Sequence, residues 1–430
     1  MCRFLGEAER SFFAWFVNEN HGVASVRAQL RASLGMCPAH SRRLVEDPGP
    51  GPVLTTVALE AVAGARARLS EDSPGGPCPA CAALARSCDD AARLLIDGLA
   101  RDNDRRRYAH HRGICLDHLV GLAATAPPAI VSIVGARLEQ SLAQTDGPAH
   151  LTVVAHNDHD ARRRARWRAA LPEASVGPSG STIAELSRVL RQDTCPICLA
   201  GGLAERRYLR WRAQATAAGD SSLSTDPWEL CGTHLQDLAL TDAPAAGQAI
   251  DAKRLATQRA LGRVREAVPS LPRPGRRRRG DPAAAEEIQR LLGPLHPCPA
   301  CRARATAEQR QAQLLDAAMA LPQIRATYET GHGVCMRHLS PAADGGAAQV
   351  MRRVADARLA VLHWELDEIR RKYAWDARHE PPGPEQHAWL RGLAQLDGRV
   401  LMGGPAPASG TPHQGMAPSS AETARPASTT

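Results

Sequence analysis

The chain has 430 residues, a formal net charge of +8, and a composition that is 43% hydrophobic, 23% charged and 3% aromatic. That length is a prior for about three domains and holds enough core to fold without disulfide help. The most apolar stretch, around residues 129–136, falls far short of the ~20 apolar residues a membrane helix needs, so a transmembrane protein is excluded. Glu7, Glu9 and Arg10 interrupt the N-terminal hydrophobic residues with no small-residue cleavage site after them; this argues against a secretory signal and for a cytoplasmic chain. Ala, Leu and Arg dominate while β-branched residues are sparse, a balance that predicts an all-α fold.

Along the chain the cysteines set the frame. The segment opens with Cys2, and 34 residues separate it from Cys37-Pro38-Ala39-His40. Cys78-Pro79-Ala80-Cys81 comes next, and after 33 intervening residues Cys115 with His118. The pattern returns as Cys195-Pro196-Ile197-Cys198 with Cys231 and His234, and as Cys298-Pro299-Ala300-Cys301 with Cys335 and His338. Three Cys-Pro-x-Cys knuckles, each followed after 32 or 33 intervening residues by a Cys-x-x-His, mark an internal repeat. Cys2, Cys37 and His40 then read as a first copy lacking one cysteine and its proline. This predicts a start codon further upstream, with Met1 as the variable residue of a Cys-Pro-Met-Cys.

A Cys-x-x-Cys and a Cys-x-x-His knuckle together give the four ligands of tetrahedral zinc. The interval between them fits a helical hairpin that leaves the metal and returns, with pairing inside each copy as the simplest arrangement. Leu5, Ala8, Phe12 and Phe16 recur at helical spacing in the first copy, and Leu84, Cys88, Ala91 and Leu95 in the second. A helix following each knuckle aims free N–H groups and its positive end at the thiolates. Cys88, the one cysteine outside the pattern, reads as a small buried hydrophobe.

The repeats divide the chain at 1–72, 73–172, 173–268 and 282–401. A basic linker at 269–281 carries Arg276 to Arg279, and a Gly/Pro/Ala/Ser/Thr tail at 402–430 is predicted to be disordered. Helices are expected over Thr56 to Leu69, from a capping box at Thr182-Ile183-Ala184-Glu185, and over Pro282 to Leu292. Leu151 to Ala155 reads as a short strand, and His156 to Asp160 as helix-capping polar residues. Ala355, Leu359, Leu362, Leu366, Ile369 and Tyr373 step by three and four, an apolar stripe expected to pack on the protein's own repeats, with a dimer seam as the alternative.

Cys-Pro-x-Cys followed by a helix and then Gly113-Ile114-Cys115 to Leu119, or Gly333-Val334-Cys335 to Leu339, resembles a bacterial domain-of-unknown-function family. The stretch from Lys372-Tyr373 through His379-Glu380-Pro381 to Trp389 and Gly398 is similar to the segment after that family's knuckles. The resemblance implies metal-binding helical modules and carries no activity. The third copy departs from it, with Leu230 before Cys231 and no glycine ahead.

No Gly-rich phosphate loop with lysine, His-Glu-x-x-His or Gly-x-Ser-x-Gly elbow is present. The expected function is therefore a non-catalytic zinc-binding scaffold, with about three closed zinc sites, a fourth if the chain starts upstream, and a protein partner. A thiol and zinc redox sensor is one alternative. The other is nucleic-acid binding through Arg162 to Arg168 and Arg276 to Arg279.

Overall fold

The computed structural model describes residues 1–398 except 47–50, 71–74, 112, 146, 156–160, 163, 166–182, 221–229, 272–281, 294–297, 340–345, 378 and 382. The basic run Arg276 to Arg279, the tail at 402–430 and His156 to Asp160 lie outside the described residues.

The described residues form α-helices joined by turns. In chain order these are α1 (Cys2–Trp15), α2 (Ala24–Ser33), α3 (Pro38–Glu46), α4 (Gly51–Ser70), α5 (Pro79–Leu99), α6 (Asp102–Ala109), α7 (Leu116–Ala123), α8 (Pro128–Gln144) and α9 (Leu151–Val154). There follow α10 (Ile183–Leu190), α11 (Pro196–Ala217), α12 (Gly232–Thr241), α13 (Ala243–Ala267), α14 (Pro282–Leu292), α15 (Pro299–Ala318), α16 (Pro322–Thr330), α17 (Gly346–Lys372) and α18 (Ala388–Asp397). No strand occurs among the described residues, and no helix of theirs is long and apolar enough to cross a membrane. The short strand expected at Leu151 to Ala155 is instead a helical turn that buries Val154 against α7 and α13. Tertiary burial there overrides the β-preference of Thr152, Val153 and Val154.

The knuckles open helices for a local reason. In each Cys-Pro-x-Cys the first cysteine is the N-cap in an extended conformation, and the proline takes the first helical position, where its ring presets φ and its missing N–H costs nothing. Cys115 and Cys231 are N-caps of α7 and α12 in the same way. The last knuckle differs: Cys335 starts a single turn, in which the His338 and Leu339 N–H groups donate to its carbonyl.

Cores cross the repeat boundaries. One unites Leu119, Val131 and Leu138 of the second copy with Ile250, Ala260 and Leu261 of the third and Ile288 of the fourth. Another places the stripe Leu359, Leu362, Leu366 and Ile369 of α17 on Ala58, Ala61, Val62 and Ala65 of α4. The heptad-like stripe thus packs within the chain, joining first copy to last, while Tyr373 at its end is exposed.

Candidate metal centres

The ligands meet in four groups, and none of them pairs the two knuckles of one copy. Cys37 and His40 meet Cys78 and Cys81; Cys2 meets Cys115 and His118; Cys195 and Cys198 meet Cys335 and His338; Cys231 and His234 meet Cys298 and Cys301. Pairing within each copy is corrected to an exchange between copies one and two, and between copies three and four. Helix length is the cause. The 21-residue α5 carries the chain about 30 Å from its knuckle, and the 8-residue α6 returns only about 12 Å. Cys115 therefore arrives beside the knuckle of the other copy.

Within a group the donors stand as a tetrahedral ion would place them. Zn–S bonds of about 2.3 Å and Zn–N bonds of about 2.0 Å imply edges of roughly 3.8 Å between sulfurs and 3.5 Å from sulfur to nitrogen. Cys37 Sγ lies 3.6 Å from Cys81 Sγ, and His40 Nδ1 lies 3.2, 3.4 and 3.4 Å from Cys37, Cys78 and Cys81. Cys198 Sγ is 3.7 Å from Cys335 Sγ, with His338 Nδ1 3.6, 3.3 and 3.3 Å from Cys195, Cys198 and Cys335. Around His234 Nδ1 the distances are 3.2 Å to Cys231, 3.4 Å to Cys298 and 3.5 Å to Cys301, and Cys231 and Cys301 are 4.0 Å apart. Cys2, Cys115 and His118 form the same corner, with distances of 3.5, 3.3 and 3.1 Å. All twelve cysteines are free thiols, and every histidine presents Nδ1. The donor set fits a tetrahedral, thiophilic ion.

Electrostatics favour a charged cluster even before a metal enters. Hydrogen bonds from Cys37 and Cys81 hold the Cys78 thiol far below the ordinary thiol range, and those from Cys231 and Cys301 do the same for Cys298. Burial opposes the His40 and His234 imidazolium forms, yet the neighbouring thiols outweigh it and push His40 up to about 10 and His234 to about 11. Such a thiolate–imidazolium cluster is ready to exchange its protons for a cation. Behind two of the centres the buried Lys253 ammonium donates to the Leu230 carbonyl at 3.3 Å, one residue before Cys231. Burial pulls Lys253 down, and the nearby Asp117 carboxylate and the side chains of Cys231, Cys298 and Cys115 act against that pull.

Residues outside the ligand set also shape the centres. Gly35, Gly113 and Gly333 each stand two residues before a Cys-x-x-His, with φ of +90°, +77° and +74°. The left-handed bend that turns each knuckle toward its partner needs glycine. Around Cys335 the last helix, α18, acts as a clamp. Gln395 receives the Met336 N–H at its carbonyl, 2.9 Å away, and its side chain donates to the Val334 carbonyl at 2.8 Å. Gly398, the left-handed C-cap of α18, lies against the thiols, and a Cβ there would stand 2.6 Å from Cys198 Sγ and 2.8 Å from Cys335 Sγ.

Cys88 is half-buried on α5 rather than buried; burial and the Asp89 carboxylate push its thiol up. A further trio, Glu205, His234 and Asp237, shares its histidine with the Cys231 centre, and Asp237 is paired with Arg164 at 3.0 Å. Comparison with known proteins finds no matching family model, curated protein or solved structure.

Proposed function

We propose that this chain is a zinc protein without catalytic activity, in which Cys₃His centres staple interleaved helical repeats into a framework that presents a surface to a protein partner. The observation that carries the reading is the convergence of each Cys-Pro-x-Cys with a Cys-x-x-His from the neighbouring copy at tetrahedral spacing. Bound zinc would supply four coordination bonds per closed centre. With all four positions filled by protein, a closed centre leaves none for a substrate or an activated water. The resemblance of the knuckles to a bacterial domain-of-unknown-function family agrees with a metal-binding helical module.

Metal content tests the reading. Protein purified without added metal is expected to carry at least three zinc ions per chain by plasma mass spectrometry, one for each four-donor group. Metal-free protein with unchanged helical circular dichroism would overturn it.

Exposure of Cys81 and Cys301 supports a second reading, a zinc-linked redox sensor. Two thiolates of one centre, one peroxide and two protons would give a disulfide and two waters, and the ion would leave with its ligands lost. Mild peroxide should then release zinc before the helices melt. Nucleic-acid binding gains no comparable support, because Arg164 of the first basic cluster turns inward to the buried Asp237.

A further inference from the structure

Each histidine that offers Nδ1 to three thiols has a second ring nitrogen, and in three centres a glutamate stands beside it. His234 Nε2 lies 2.5 Å from Glu205 Oε1, His40 Nε2 lies 3.7 Å from Glu9 Oε1, and His338 Nε2 lies 3.8 Å from Glu308 Oε2. The three glutamates occupy one register: Glu9 follows Cys2 by seven residues, Glu205 follows Cys198 by seven, and Glu308 follows Cys301 by seven. Seven residues are two helical turns, so each carboxylate shares a helix face with the second cysteine of its knuckle, about 10 Å further along.

The helix that bears each glutamate opens at a different centre from the one its carboxylate serves. α11 starts at Cys195 and Cys198, yet Glu205 reaches His234, whose thiol partners Cys298 and Cys301 open α15. α15 in turn sends Glu308 to His338, the partner of Cys195 and Cys198. The two helices run against each other, and the approach is close. A Cβ on Gly201 of α11 would stand 2.6 Å from Glu308 Cγ and Oε1. Arg304 fixes the same carboxylate from the other side at 2.8 Å. The same crossing holds in the first half, where α1 starts at Cys2 and its Glu9 serves His40.

We propose that Glu205, Glu308 and Glu9 are outer carboxylates that position the metal-binding histidines, strung crosswise so that each centre's histidine is held by the helix rooted in its neighbour. The proposal rests on the zinc reading above. A carboxylate at Nε2 keeps the ring proton there, leaves the Nδ1 lone pair facing the thiols and raises the basicity of the ligand. The Cys2 centre stands apart, since the seventh residue after Cys81 is Cys88.

The crossing gives the test its discrimination. Full-length chain loaded with cadmium-113 should show separate resonances for the closed centres, assigned with C231S and C335S. In E205Q the affinity of the Cys231 centre for cadmium should fall about 10- to 100-fold with its resonance displaced, while the Cys195 centre is retained. E308Q should produce the mirror result, weakening the Cys195 centre and sparing the Cys231 centre. General damage to α11 would strike first at Cys195 and Cys198, which open it. That outcome in E205Q, or unchanged affinity in both variants, would overturn the proposal. A wild-type chain that gives no cadmium resonance would instead refute the zinc reading beneath it.

Discussion

Gly398→Ala tests whether the clamp on the Cys195 centre is as close as the structure places it. Gly398 has φ +64° at the end of α18, where its N–H donates to the Ala394 carbonyl at 2.7 Å. An alanine in that left-handed conformation costs about 1 to 2 kcal/mol whatever surrounds it. Its Cβ would also stand 2.6 Å from Cys198 Sγ, 2.8 Å from Cys335 Sγ and 3.1 Å from the Cys195 Cβ, well inside the roughly 3.5 to 4 Å at which such atoms rest. The thiols must give way, an overpacking cost of about 1 to 3 kcal/mol. They are also the ligands, so that cost falls on metal binding and corresponds to a loss of roughly 5- to 150-fold in affinity. Competition against a chromogenic chelator, read centre by centre with cadmium-113, measures it. Gly392→Ala on the same helix is the control: its Cβ would meet neighbours at ordinary contact of 3.5 Å or more, and the change should stabilise by about 0.5 to 1 kcal/mol. If G398A holds metal at Cys195, Cys198, Cys335 and His338 as tightly as the wild type, the close approach is refuted.

Five further outcomes are expected. Cys335→Ser should expose Cys195 and Cys198 to thiol reagents and leave Cys298 and Cys301 protected; the opposite labelling would restore pairing within copies. Removing zinc with a strong chelator under reducing conditions should melt helical circular dichroism, since structural zinc is worth about 10 to 16 kcal/mol per site in finger peptides against about 5 to 15 for a whole domain. Acidification should act in the same direction, because protons compete for the thiolates. Leu366→Ala, at a fully buried site between α17 and α4, should destabilise by about 2 to 5 kcal/mol in urea without changing the sedimentation coefficient. Glu60→Ala leaves the Arg27 and Arg31 guanidiniums without the buried carboxylate that ties α2 to α4, and should cost about 1.5 to 3 kcal/mol by the same denaturation assay.

What could be read in one dimension was the repeat and its ligands. Spacing named Cys78, Cys81, Cys195, Cys198, Cys298 and Cys301 as knuckles, and proline after each first cysteine announced the helices that begin there. Pairing could not be read, because constant spacing is equally compatible with a hairpin that returns to its own knuckle and one that stops short beside the knuckle of the other copy. The ratio of outgoing to returning helix decides, and Leu99 and Tyr108 near the ends of α5 and α6 pack into a core shared between copies, which local spacing does not reveal. Glu205 and Glu308 carried a signal, their fixed offset of seven, but an acidic residue on an Arg-rich helix looks like any solvated partner until its neighbour is known. Gly398 lies 63 residues beyond Cys335, and only the docking of α18 brings it to the thiols.

Interleaving also orders assembly. In the second half the Cys231 to Cys301 link spans 70 residues and lies wholly inside the Cys198 to Cys335 link, which spans 137. In the first half the 44-residue link from Cys37 to Cys81 lies inside the 113-residue link from Cys2 to Cys115. Closing a loop costs about (3/2)RT ln n, so the outer centre alone would carry about 0.6 kcal/mol more than the inner in each doubling of length. Once the inner centre is closed, part of the outer loop is already ordered, and the outer ligands meet at a lower entropic cost. The inner centre also roots α15, whose Glu308 stands beside His338 of the outer one. Chain entropy therefore points from inner centre to outer, while the crossed carboxylates couple the two centres in both directions, since Glu205 on the helix rooted at the outer centre stands beside His234 of the inner one, and neither copy of a pair holds all the ligands of either centre by itself.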